Sequence, residues 1–163
     1  MNARLTGYPE RLVATPGLAF LGFLAIAQTA HFTEHIAQIV QIHLLHLSGA
    51  NAQGIVGQLN IEWVHFIWNA FVLVALLILL PQFRTNAWLI AVTPLAAWHL
   101  VEHTLMIATY IQTGVVGSPG LLSSGGLIGG GLPIARPDLH FFYNLAETIP
   151  LLAAWLVEVR RGV

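Results

Sequence analysis

The sequence predicts an all-α integral-membrane protein: a four-helix bundle built by tandem duplication of a two-helix unit, with both termini cytoplasmic. Three observations predict it. Apolar residues make up 56% of the 163 and charged residues only 8%, about a third of the roughly 25% usual in soluble domains. Four apolar segments of spanning length follow one another. A short polar pattern occurs twice inside them, each time followed by a second shared pattern.

The repeated pattern is H-x-x-E-H. It reads His31-Phe32-Thr33-Glu34-His35 in the first copy and His99-Leu100-Val101-Glu102-His103 in the second. Positions i, i+3 and i+4 share one side of an α-helix, so each copy aims two imidazoles and a carboxylate in a similar direction. The second pattern is a histidine, two bulky residues, an aromatic and an asparagine: His65-Phe66-Ile67-Trp68-Asn69 and His140-Phe141-Phe142-Tyr143-Asn144. Unit one is expected over about 16–82 and unit two over about 86–159 of a single transmembrane domain.

In chain order, residues 1–15 are polar and carry Arg4, Glu10 and Arg11. Pro16 and Gly17 open the first span, Leu18 to about Leu47, wholly apolar at first and then studded with Gln28, the first motif, Gln38, Gln41, His43 and His46. Leu18–Ala27 after two arginines, with Ala25-Ile26-Ala27, also has the pattern of a cleavable signal segment. The duplication argues against cleavage there, which would leave the first motif without a span. Ser48 to Asn60 is a loop by composition. Ile61–Leu80 is long enough to cross a hydrocarbon core of roughly 30 Å. A polar turn at 81–86 leads to the third span, Ala87–Ile111, with Pro94 as a kink rather than a stop. Thr113–Asp138 is Gly-rich and apolar, the signature of a lid over 114–131 or a re-entrant segment. Asp138 is the expected N-cap of the fourth span, Leu139–Val157.

Arg4, Arg11, Arg84, Arg160 and Arg161 belong to the termini and the middle turn, against Arg136 alone on the other side. The positive-inside rule places the termini in the cytoplasm of a bacterial inner or cell membrane. Trp63, Trp88 and Tyr110 stand near span ends as interfacial anchors. Net charge is −1 and Cys is absent, which excludes thiolate metal sites and disulfides and gives nucleic acid no basic surface.

In an up-down-up-down bundle the six motif histidines fall at one depth, in the non-cytoplasmic half. Ionisable groups in a bilayer cost roughly 2.5–3.5 kcal/mol each, so they turn inward and find partners. His31, Glu34, His35 and His65 are expected to hold one metal, and His99, Glu102, His103 and His140 a second. The N- and O-rich set suits iron, copper, manganese or zinc. Glu147, seven residues after His140 where unit one has Val72, and Tyr143 are the candidate catalytic residues. Asn69 and Asn144 are expected to orient the imidazoles. Glu62 and Asp138 read as charges at helix starts.

The function these residues point to is a dimetal oxidoreductase acting on an apolar substrate in the lipid bilayer. Its electrons would come from an external donor or another membrane subunit, since no flavin or cluster motif is present. A haem-b carrier with paired axial histidines, a metal or proton transporter using Gln28, Gln38 and Gln41 as a polar stripe, and an accessory subunit of a larger complex are the alternatives. H-x-x-E-H also marks a class of zinc peptidases, but two buried copies fit a peptidase poorly.

Overall fold

In a computed structural model, which describes residues 16–57 and 61–162, the chain forms four helices and, among those residues, no strand. The helices are α1 (Pro16–His43), α2 (Glu62–Leu79), α3 (Ala87–Thr113) and α4 (Arg136–Arg161). Residues 1–15, with Arg4 and Arg11, lie outside the described part. Two of the helices, α2 and α3, are long and apolar enough to cross a membrane.

Local chemistry fixes the helix ends. Asn86 caps α3 by accepting from the amides of Trp88 and Leu89, and Gly114 closes it in the left-handed conformation at φ 70°. Pro94 lies inside α3 without ending it. At α4, Pro137 occupies the first turn, where its missing N–H costs nothing. The helix therefore begins before Asp138, the expected cap. Asp138 instead pairs with His43 at 2.6 Å and ties the end of α1 to the start of α4.

Around the bundle, α1 packs chiefly on α4 and α2 on α3, with α3 also against α4; of the neighbouring pairs α1 and α2 touch least, and α1–α3 and α2–α4 touch less still. The two motif-bearing helices, α1 and α3, are thus diagonal. One half of the interior is dry: Leu21, Leu24, Val72, Leu76, Leu79, Leu89, Val92 and Leu151 are completely buried together. The segment 18–27 is integral to this core, through Leu21, Leu24 and Ala25. Arg161 ties the far end of α4 to Thr85 in the α2–α3 turn. The other half of the interior is polar, with Gln28, His35, His65, His99, Glu102, His103, His140, Asn144 and Glu147 all buried.

Large apolar side chains are exposed on the outside of all four helices. Phe23 and Ile26 on α1, Ile67, Val74 and Leu77 on α2, Ile90 and Val101 on α3, and Phe142, Ile149 and Leu156 on α4 are all exposed.

Candidate metal centre

The six motif histidines form one continuous cluster. His31, His35 and His65 make one triad and His99, His103 and His140 the other; in each, one ring nitrogen per residue lies within 4.8 Å of the other two. The triads abut: the rings of His65 and His103 are 5.5 Å apart and stacked, and those of His35 and His140 are 6.2 Å apart.

The nitrogens that converge are Nε2. In the first triad His31 and His35 bring theirs to 3.3 Å. In the second, His103 Nε2 is 3.1 Å from that of His99 and 3.2 Å from that of His140. A tetrahedral metal with N bonds of about 2.0–2.1 Å has an edge of ~3.3 Å, and an octahedral one ~2.9 Å. Distances of 3.1–3.3 Å are compatible with such a coordination sphere as well as with N–H···N hydrogen bonds.

Proton accounting points to the former. His65 Nδ1 donates to the carbonyl of Ile61, 3.0 Å away, and His140 Nδ1 to that of Arg136, also 3.0 Å. His99 Nδ1 lies 2.9 Å from Glu147 Oε1, both groups fully buried. With Glu147 ionised, His99 and His140 both carry their proton on Nδ1 and aim an Nε2 lone pair at His103 Nε2. A neutral His103 has one proton there and cannot satisfy two lone pairs. A cation satisfies all three rings. His35 and His103, the matched last histidines of the two motifs, keep buried Nδ1 atoms with no hydrogen-bond partner.

Glu34 and Glu102, expected as ligands, are turned elsewhere. Glu34 Oε2 accepts from the amides of Ile55 and Val56 at 2.7 and 3.1 Å. Glu102 accepts from those of Leu121 and Leu122 at 2.6 and 3.0 Å. Helical geometry explains this: the glutamate sits about 60° to one side of the first histidine and about 100° from the second, so it faces the loop beside the triad. Loop amides at a buried surface need acceptors. Each clamp rests on a glycine with positive φ, Gly54 at 78° and Gly120 at 68°, where a Cβ would collide with the carboxylate. The expected lid over 114–131 is therefore a folded loop pinned by Glu102 and by Gly117, whose amide donates to Glu62 at 3.2 Å.

Asn69 and Asn144 do not hold imidazoles. Their side-chain amides donate to the carbonyls of His65 and His140 on their own helices, at 2.8 and 2.9 Å. The backbone carbonyls of Ile61 and Arg136 do the orienting instead. Tyr143 lies beside the second triad, its ring 4.9 Å from His99. Its hydroxyl donates to Glu102 at 3.2 Å and accepts from Trp98 Nε1 at 3.0 Å. Of the two candidate catalytic residues, Glu147 thus acts on the centre through His99, and Tyr143 braces the Glu102 clamp.

Sequence reasoning took Gln28 only as part of a polar stripe with Gln38 and Gln41; it is the hub beneath the triads. Its Oε1 accepts from Trp68 Nε1 at 2.8 Å, and its amide donates to Asn144 Oδ1 at 2.9 Å and Glu147 Oε2 at 3.4 Å. Through Glu147 and His99 this network joins all four helices. The signal was there, one turn before His31, but unit two has Ala96 at the matching place and so offers no repeat to notice. Gln38 and Gln41 are likewise committed to the 48–57 loop, at Ala52 and Gly54. Comparison with protein-family models, characterised proteins and solved structures finds no match for this chain.

Proposed function

We propose that this chain is a four-span membrane protein, made of two copies of a helical hairpin, that holds two transition-metal ions side by side and works as a dimetal oxidoreductase. One observation carries the reading: two triads of imidazoles, matched position for position, each gather one ring nitrogen per residue within 4.8 Å, with Nε2 pairs at 3.3 Å in the first and at 3.1 and 3.2 Å in the second.

The matched Glu34 and Glu102 clamps, each on a left-handed glycine, support descent from one ancestral unit, because nothing in ligand binding requires the loops to repeat. The exposed apolar residues on all four helices support a lipid surround, with Trp63 and Trp88 at opposite ends as interfacial anchors. Arg84, Arg160 and Arg161 belong to the end away from the histidines, which supports a cytoplasmic location for that end and an outer-half location for the centre.

With both motif glutamates engaged by loops, the ligand set is all imidazole. That favours copper, iron or zinc over manganese, and the redox-active copper and iron for an oxidoreductase. Electrons must come from an outside donor, since the chain has no Cys. A cavity lined among others by His35, Gln38, His65, Arg136 and His140 adjoins the histidines, and this polar lining favours a small polar substrate over the apolar one expected. Haem is the weaker reading, because axial imidazoles face each other across a macrocycle and these rings pack against one another. Transport is weaker too: the glutamines are held in hydrogen bonds and the other half of the interior is a dry plug.

The test is elemental analysis with absorption and electron paramagnetic resonance spectra of protein purified in detergent without chelators. Two copper or iron ions per chain are expected. A preparation without stoichiometric metal, under conditions where the helices remain folded, removes the proposal.

A further inference from the structure

A cavity of about 110 Å³ adjoins the cluster, lined among others by His35, Gln38, His65, Arg136 and His140. It takes one ring from each of three helices and touches both triads. Outside it lies a larger cavity of about 560 Å³. The two share Gly49, Arg136 and Pro137 as walls. Arg136 stands at the junction, its Nη2 2.7 Å from Glu62 Oε1 and a quarter of its side chain exposed. Glu62 keeps its other oxygen buried and without a partner.

Charge decides what this cavity takes. Two divalent ions held by neutral imidazoles carry four positive charges. Among the described residues, the one carboxylate in contact with a triad ring is Glu147. Buried charge without a counter-charge is unfavourable by several kcal/mol per ion. Glu34, Glu62 and Glu102 add negative charge nearby, but they are hydrogen-bonded to loop amides and to Arg136 rather than to the imidazoles, so a charge bound directly at the ions would come from outside the chain. The cavity supplies the means to hold it: a guanidinium suited to anions, set in a wall shared with His35, His65 and His140.

Resting on the metal reading above, we propose that the cavity bounded by His35, Gln38, His65, Arg136 and His140 binds a small anion that completes the coordination of the centre. The anion enters from the outer aqueous side past Arg136, and Glu62 holds that guanidinium away from it. At about 110 Å³, smaller than a cavity of about 150 Å³ that admits benzene, the site fits an anion of a few heavy atoms, such as hydroxide, azide, formate or nitrite.

The experiment titrates azide into the copper(II)-loaded protein and follows the ligand-to-metal absorption band and the electron paramagnetic resonance spectrum. Metal content is measured on every sample. Wild type is expected to bind azide saturably. Arg136→Gln leaves the carbonyl that orients His140 in place, and is expected to keep its copper and bind azide roughly tenfold more weakly or worse, the ratio that one charge-assisted hydrogen bond supplies. Glu62→Gln frees the guanidinium and is expected to bind azide more tightly than wild type. Full copper loading with no spectral response, or equal azide affinity in all three proteins, overturns the anion site and leaves the metal reading standing. Protein that takes up no copper overturns both.

Discussion

His99 Nδ1 lies 2.9 Å from Glu147 Oε1, whereas the matched His31 has no such partner, since Val72 stands where Glu147 would be. A carboxylate behind a ligating imidazole fixes its tautomer and makes it a better donor. The two triads are alike in position and unlike in electronics.

Glu147→Gln is therefore expected to weaken metal binding at His99, His103 and His140 by about 10–100-fold and to leave the first triad unchanged. Competition against a chromogenic chelator reads this as two phases, of which only one moves. A uniform weakening of both phases contradicts the assignment.

Glu102→Gln and Glu34→Gln separate a clamp from a ligand. As clamps, their loss keeps metal stoichiometry and speeds hydrogen exchange at the amides of Leu121 and Leu122, or of Ile55 and Val56. Each substitution is expected to cost about 1–3 kcal/mol of stability, the price of weakening hydrogen bonds to a charged acceptor. If either variant instead loses one metal per chain, that glutamate is a ligand.

Gly54→Ala and Gly120→Ala force a Cβ into the clamp carboxylate at positive φ, at about 1–3 kcal/mol each. Gly49→Ala, with open space around its Cβ, is the control and is expected to be neutral. Thermal unfolding followed by tryptophan fluorescence ranks the three.

Asn86 is completely buried. Besides capping α3, its amide donates to the carbonyl of Ala154 at 3.0 Å and to Glu158 Oε1 at 2.7 Å. Asn86→Ala is expected to cost about 2–4 kcal/mol, a lost cap plus unpaired buried groups. Asn86→Ser, which keeps the cap oxygen alone, should fall between the two in the same unfolding assay.

The helices and the meeting of the histidines were legible because both depend on spacing within a helix, and 3.6-residue periodicity is local. Six histidines at matched places could converge only if the segments ran side by side, and they do. The roles of Glu34 and Glu102 were not legible. Their partners are backbone amides in loops some 20 residues away, and no side-chain pattern announces an amide; Gly54 and Gly120 were the only hint. Asn69 and Asn144 misled for a related reason, since one turn after a histidine is within reach of its carbonyl as well as its ring. Arg136 read only as an orientation marker, because its ion pair with Glu62 crosses between helices that are far apart in the chain.

The packing order has a consequence for synthesis. Because α1 leans on α4 and hardly on α2, the first of these four helices to be made waits for the last of the four before its chief neighbour exists. The α1–α2 hairpin is then a poor assembly intermediate in its own right, and the four-helix ring shuts only when α4 reaches α1. A nascent chain halted before residue 136 would hold five of the six motif histidines and lack His140, with no α4 to seal them, and quality-control proteases rather than metal would be the first to find it.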